Sequence, residues 1–182
     1  FYKRLGGFGP GATNNLNGVT GAIYELTASG SVGVLLELPA SETGANPHPN
    51  TTTDFLSDPS WFEAGKIAWG DIDISEDQKT LFAMNLYNRK LYVIDVVNKS
   101  LVGSYAIPGI SGGPAWGVAM PTSSPDVDLR PFGLGVRNGK VYVGIVNSAE
   151  STQSVADLKG YVFAFDIATA QFNTTPLLTF GM

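Results

Sequence analysis

The sequence predicts an all-β protein assembled from repeated four-stranded antiparallel meanders, and three observations carry that expectation. One phrase, a hydrophobic strand, a short polar turn and a second strand, occurs three times, opening at Ile23-Tyr24-Glu25-Leu26, Leu91-Tyr92-Val93-Ile94-Asp95 and Val162-Phe163-Ala164-Phe165-Asp166. The openings lie 68 and 71 residues apart, a regular spacing that signals an internal structural repeat. Twenty-two Gly and 11 Pro, beside many Thr, Val, Ile, Tyr and Phe, suit short strands joined by turns, and no segment sustains the 3.6-residue period of an amphipathic helix.

The middle copy is the most complete. Asp71-Ile72-Asp73-Ile74 alternates, Ser75 to Thr80 is a polar turn, and Leu81-Phe82-Ala83-Met84 is apolar enough to be buried on both faces. After Leu86 to Lys90 comes a strand from Leu91 to Val96, a turn at Val97 to Ser100, and a strand from Leu101 to Ile107, ended by Pro108-Gly109. The third copy has the same order: Phe132 to Val136, a turn at Arg137 to Lys140, Val141 to Val146, a longer loop, Tyr161 to Ile167, a turn, and Phe172 to Phe180. Within it Asn138-Gly139 is a strong hairpin signal, because both residues tolerate the positive φ of a tight primed turn. In the first copy Phe1-Tyr2-Lys3 stands where Leu81-Phe82-Ala83 stands in the second, so the chain is expected to start at the second strand of that unit.

Repeated four-stranded meanders are the blades of a β-propeller, so the chain is expected to be a partial propeller with units at 1–39 (incomplete), 66–108 and 130–182. Rings of this kind have about four to eight blades. About two and a half units of about 70 residues are too few to close one, and the remaining blades are expected from the same or neighbouring chains. The chain opens on Phe1 with no charged-then-apolar leader, which suggests a processed product or a piece of something longer.

Ser75-Glu76-Asp77-Gln78-Lys79-Thr80-Leu81-Phe82-Ala83-Met84-Asn85, followed by Leu91-Tyr92-Val93-Ile94-Asp95, resembles the repeat of YVTN-type bacterial β-propellers, with Gln78 in place of the usual Gly and Glu76 in place of the usual Pro. Arg130-Pro131-Phe132-Gly133-Leu134 and Gly139-Lys140-Val141-Tyr142-Val143-Gly144 are similar to propeller segments of large secreted or surface-anchored bacterial proteins. The resemblance implies a secreted or cell-surface location. It is specific for fold and weak for activity, since such propellers include binding modules, structural ectodomains and a few enzymes.

Loop lengths add a functional expectation. The first-to-second and third-to-fourth turns of each unit are short, whereas Arg4 to Thr20, Ser148 to Gly160, Ala40 to Ala64 and Gly109 to Leu129 are long. In a meander the chain reverses at every turn, so all the long connections fall on one face, which is where a partner protein or glycan is expected to bind. They hold the single His, His48, with Asp54, Phe55, Asp58, Trp61, Phe62, Trp116, Asp126 and Asp128. His48, Asp54, Trp61, Phe62 and Trp116 are the candidate ligand contacts, since aromatic rings with scattered carboxylates suit sugar stacking or a protein hot spot. The competing reading is that they form small cores of the long loops themselves.

Trp69 and Arg130 precede the innermost strands of successive units, positions from which propellers point side chains toward the mouth of the central channel, and complete the ligand-binding candidates. Arg130 suits an anionic ligand or, alternatively, a salt bridge tethering neighbouring blades. Asp71 and Asp73 share a strand face and, with Asp77, are candidate calcium ligands, although the spacing is not that of an EF-hand and Asp77 also suits capping of its own hairpin. No other cofactor is expected. Asp95 and Asp166 end equivalent strands and are expected to cap turns as well.

Catalytic residue types are few. One His and no Cys exclude thiol nucleophiles, disulfides and His-rich metal centres, and no Gly-x-Ser-x-Gly elbow or phosphate-loop pattern occurs. A net charge of −5 without a basic run leaves no footprint for nucleic acid, and no 18-residue apolar stretch is present to span a membrane. Asn-x-Ser/Thr triplets at Asn50, Asn98 and Asn173 are explained by an Asn- and Thr-rich composition. The expected function is a non-enzymatic adhesion, assembly or ligand-binding module. The alternative is a propeller hydrolase or lyase acting on carbohydrate, with loop carboxylates such as Asp54 or Asp128 as acid and base.

Overall fold

The computed structural model describes residues 21–45, 66–110 and 126–181, and these form antiparallel sheets. The candidates His48, Asp54, Trp61, Phe62 and Trp116 lie outside the described residues, as do Phe55 and Asp58.

Sheet A pairs β1 (Ala22–Leu26) with β2 (Val32–Glu37). A single helical turn, α1 (Ala40–Thr43), follows β2 in a stretch the sequence reads as loop. Sheet B is a meander in chain order: β3 (Trp69–Ile74), β4 (Thr80–Asn85), β5 (Lys90–Asp95) and β6 (Ser100–Ala106). Sheet C continues with β7 (Leu129–Arg137), β8 (Lys140–Asn147) and β9 (Lys159–Asp166), and its outer strand is split into β10 (Gln171–Phe172) and β11 (Leu178–Gly181), both on β9. The sequence predicts one strand over Phe172 to Phe180. The break falls where Asn173 binds Ala164 through both its backbone N–H and its side-chain Oδ1, and Pro176, with no N–H, follows.

The core explains why β4 and β5 are continuous apolar runs. Phe82, Met84, Leu91 and Val93 point to one side of sheet B and join Val141, Val143, Ile145, Phe163 and Phe165 of sheet C in one cluster. Leu81, Ala83, Tyr92 and Ile94 point to the other side and join Ile23 and Leu35 of sheet A. Sheet B is therefore covered on both faces, so its two central strands cannot alternate apolar and polar. β6, at its outer edge, has no buried residue.

Sheets B and C share their irregularities. Each first strand carries a bulge that puts one extra residue between two ladder pairs: Trp69 and Ile72 face Asn85 and Ala83, and Pro131 and Leu134 face Ile145 and Val143. The shared register makes Ile72 equivalent to Leu134, and Asp71 and Asp73 equivalent to Gly133 and Gly135. The β7–β8 hairpin turns on Asn138 (φ 50°) and Gly139 (φ 71°), two successive left-handed residues as a primed turn requires.

Candidate functional site

The described parts of the long connections meet at one end of the sheets. Glu42 of α1 is the centre of the first cluster. The Tyr92 hydroxyl donates to its Oε2 at 2.7 Å, and Asn88 Nδ2 donates to the Tyr92 oxygen at 2.6 Å and to the same Glu42 oxygen at 3.2 Å. Asn85, fully buried at the end of β4, donates from Nδ2 to the Glu42 carbonyl at 3.0 Å and accepts from the Tyr87 and Asn88 amides. Burial and the adjacent Glu42 acceptor push the Tyr92 hydroxyl up to about 12. This cluster fastens the connection after sheet A to the β4–β5 loop.

A second cluster fastens the connection after sheet B to the β8–β9 loop. Asp128, 1% exposed, accepts from the Ser151 hydroxyl at 2.6 Å and from the Ser151 amide, while Ser148 donates to the Asp128 carbonyl. Buried Asn147 ends β8 as Asn85 ends β4, and its Oδ1 accepts from the Ala149 amide. Beside it Glu150 is held by Lys66 at 2.7 Å and Arg130 at 3.1 Å, and those two donors, Lys66 first, hold its carboxyl below the usual range. The β8–β9 loop also carries a groove of about 190 Å³ lined by Ser148, Ala149, Gln153, Ser154, Val155 and Leu158, with Val155 exposed on its rim.

The opposite end consists of short turns tied to one another. Asp77 accepts from the Ser75 hydroxyl at 2.6 Å and the Lys79 amide at 3.1 Å, which lower its pKa in that order. Asp95 accepts from the Val97 and Asn98 amides and Asp166 from the Thr169 amide, so both cap turns as their positions predict. Glu25 pairs with Lys99 across sheets A and B, and Glu76 Oε1 accepts from the Asn138 amide across sheets B and C.

Asp71 and Asp73, candidates for calcium, serve the backbone instead. Asp71 Oδ1 accepts from the Ile72 amide at 3.0 Å and its Oδ2 from the Leu134 amide at 3.1 Å. Asp73 does the same with Ile74 at 2.8 Å and Val136 at 2.7 Å. Carboxylates two residues apart thus match alternate outward amides of β7, spaced by the same period of two. Among the described residues no three His, Cys, Asp or Glu side chains gather as metal ligands, so Asp71, Asp73 and Asp77 do not converge.

Trp69, named as a ligand contact, is 3% exposed and packs edge-on against Tyr92 with centroids 5.2 Å apart, so its ring faces the core rather than a channel mouth. Arg130 is about one-third exposed and makes a salt bridge, but with Glu150 of its own unit; Lys66, on the approach to β3, pairs with the same Glu150 from the neighbouring unit. Asp126 opens a 3-10 turn, Asp126–Asp128. Sequence reasoning missed Glu42, Asn88 and Glu150, whose partners lie 50, 4 and 84 residues away along the chain. Asn85 was within the quoted repeat, and its position at the end of an apolar strand was the available signal.

No family model matches the chain. Colossin-D of Dictyostelium discoideum is 28% identical over 159 residues, an alignment covering 83% of this chain and 15% of Colossin-D. The chain thus spans a small part of that relative's length. No helix among the described residues is long and apolar enough to cross a membrane.

Proposed function

We propose that the chain is a β-propeller segment of the YVTN-like kind, secreted or displayed at a cell surface, that binds a protein or glycan partner through its long-connection end. The observation that carries this reading is the segregation of the connections. The end holding α1, the β4–β5 loop, the Asp126–Asp128 turn and the β8–β9 loop is cross-braced by Glu42, Asp128 and Glu150. The other end is made of tight capped turns. Bracing of this kind holds irregular backbone in one shape, which lowers the entropy cost of binding. Two sheets with the same strand order and the same bulge, stacked face to face with β3 beside β7, support the propeller architecture.

The test is an array of glycans and extracellular-matrix proteins probed with the chain and with Val155→Lys, which puts a charge on the rim of the β8–β9 groove. We expect a partner whose binding falls at least tenfold in Val155→Lys and is unchanged in Lys99→Ala at the short-turn end. The reverse ranking of the two variants would refute the assignment of the binding end. Release of shortened glycan product would instead establish the carbohydrate hydrolase or lyase.

A further inference from the structure

We infer that Asn138 is a self-modifying residue: its side chain loses ammonia to attack by the Gly139 backbone nitrogen, and the product loosens the turn that ties sheet C to sheet B. The sequence supplies one half of the chemistry. Asn138-Gly139 sets a side-chain amide carbon beside a backbone nitrogen whose own residue has no Cβ, so the two atoms can approach closely. The chain's other Asn-Gly pair, Asn17-Gly18, lies outside the described residues.

The structure supplies the other half. Of the asparagines among the described residues, Asn85, Asn88, Asn98, Asn147 and Asn173 are each fastened by a side-chain hydrogen bond. The Asn138 side chain holds none among the described residues, although its backbone amide is bonded to Glu76. The residues that follow differ in the same way. The amides of Leu86 and Ser148, after Asn85 and Asn147, donate to the Ala68 and Asp128 carbonyls, whereas the Gly139 N–H has no acceptor among the described residues. Asn138 and Gly139 are both exposed. Neither the carbon to be attacked nor the attacking nitrogen is held, so opening of one tight turn brings them together.

The reaction needs only water. Gly139 N bonds to Asn138 Cγ, the Cγ–Nδ2 bond breaks, and ammonia leaves with the proton that the Gly139 nitrogen gives up. Water then opens the cyclic imide at either of its carbonyl carbons. Opening at Cγ leaves aspartate, whereas opening at the Asn138 carbonyl carbon leaves isoaspartate, in which the main chain runs through Cβ and Cγ and is one atom longer. Nothing is oxidised or reduced.

Two ties depend on the unmodified turn. The Asn138 amide donates to Glu76 Oε1 at 2.9 Å, and the Gly139 carbonyl accepts from the Ile167 amide at 3.0 Å. Either product puts a new carboxylate on the residue bonded to Glu76, in a chain already at −5, and like charges weaken that tie. Isoaspartate also lengthens a two-residue turn closed by the pair Arg137 and Lys140, which moves the Gly139 carbonyl off Ile167. The site is at the short-turn end, so the long connections keep their bracing.

The test is peptide mapping by mass spectrometry of the full chain, held folded at neutral pH and body temperature for weeks. We expect the Asn138 peptide to gain about 1 Da at least about 10-fold faster than the peptides of the bonded asparagines, and an isoaspartyl methyltransferase to label it. Gly139→Ala should slow the gain about 10-fold or more, because a Cβ crowds the approach. The Ile167 amide should exchange about 10-fold faster in the aged chain than in the fresh one, and should not change in aged Asn138→Gln, whose longer side chain closes the ring poorly. An unmodified Asn138, or one that changes no faster than Asn98, would overturn the inference. So would a rate in the folded chain more than about 100-fold below that in urea, since the fold would then protect the turn. Modification that leaves Ile167 exchange as it was would overturn the loosening of the turn.

Discussion

Asp71→Ala with Asp73→Ala removes the bridge between two strand edges and offers a direct measurement of what holds neighbouring sheets in register. Each carboxylate accepts one amide from its own strand and one from β7, so the double variant deprives Ile72, Ile74, Leu134 and Val136 of their partners. A hydrogen bond to a charged group contributes about 1.5–3 kcal/mol when buried. Three of these four contacts are exposed, and solvent replaces a lost partner there, so we expect a loss of about 1–3 kcal/mol for the pair of substitutions. Urea unfolding would measure that loss. Amide exchange would locate it: Leu134 and Val136 should exchange about 10-fold faster or more, while Val143, inside the β7–β8 ladder, should slow or quicken only with global stability. Asp→Asn at both sites should give an intermediate result, since an amide keeps one accepting oxygen of the two. Unchanged exchange at Leu134 and Val136 would refute the claim that these carboxylates join the sheets.

Tyr92→Phe should cost about 1–2 kcal/mol through loss of a buried hydroxyl bonded to Glu42 and Asn88. Because Tyr92 titrates higher in the folded protein, at about 12, than in the unfolded chain, its stabilisation is complete below pH ~10 and is lost as pH rises through 12. The parent chain should therefore lose more stability than Tyr92→Phe across that window, read as the difference of two urea midpoints. Phe82→Ala, at a position with no solvent exposure between sheets B and C, should cost about 3–5 kcal/mol in the same assay. Glu150→Gln should cost under about 1 kcal/mol, less still in high salt, because its pairs with Lys66 and Arg130 are half-exposed. Gly139→Ala forces a Cβ onto a left-handed residue at φ 71° and should cost about 1 kcal/mol in thermal unfolding.

Most strands were legible because their signals are local. The polar turn from Ser75 to Thr80 and the apolar run after it are both properties of adjacent residues, and β3 to β6 fall within two residues of their predicted limits. Asn138-Gly139 fixed the β7–β8 turn in the same way. The outer strand of sheet C was not legible, since an Asn side chain standing in for a strand partner can be recognised only with its partner Ala164 in place. The long-connection clusters were illegible for a related reason. Glu42 reads as an ordinary charge until β5 brings Tyr92 to it, and Trp69 reads as a channel residue until the bulge turns it onto Tyr92. Asp71 and Asp73 share one face of β3, as a spacing of two on a strand predicts. Their use for a neighbouring edge depends on β7, 63 residues later.

That double use has a bearing on solubility. The innermost strand of a meander has one unpaired side, and a row of open amides there invites any extended chain to join it and to seed aggregates. On β7 and the turn that ends it the amides of Leu134, Val136 and Asn138 are already occupied by Asp71, Asp73 and Glu76, whose charges would also repel an intruding backbone carbonyl. Two strands can thus lie side by side without forming a ladder, and the edge is closed to strangers by side chains alone.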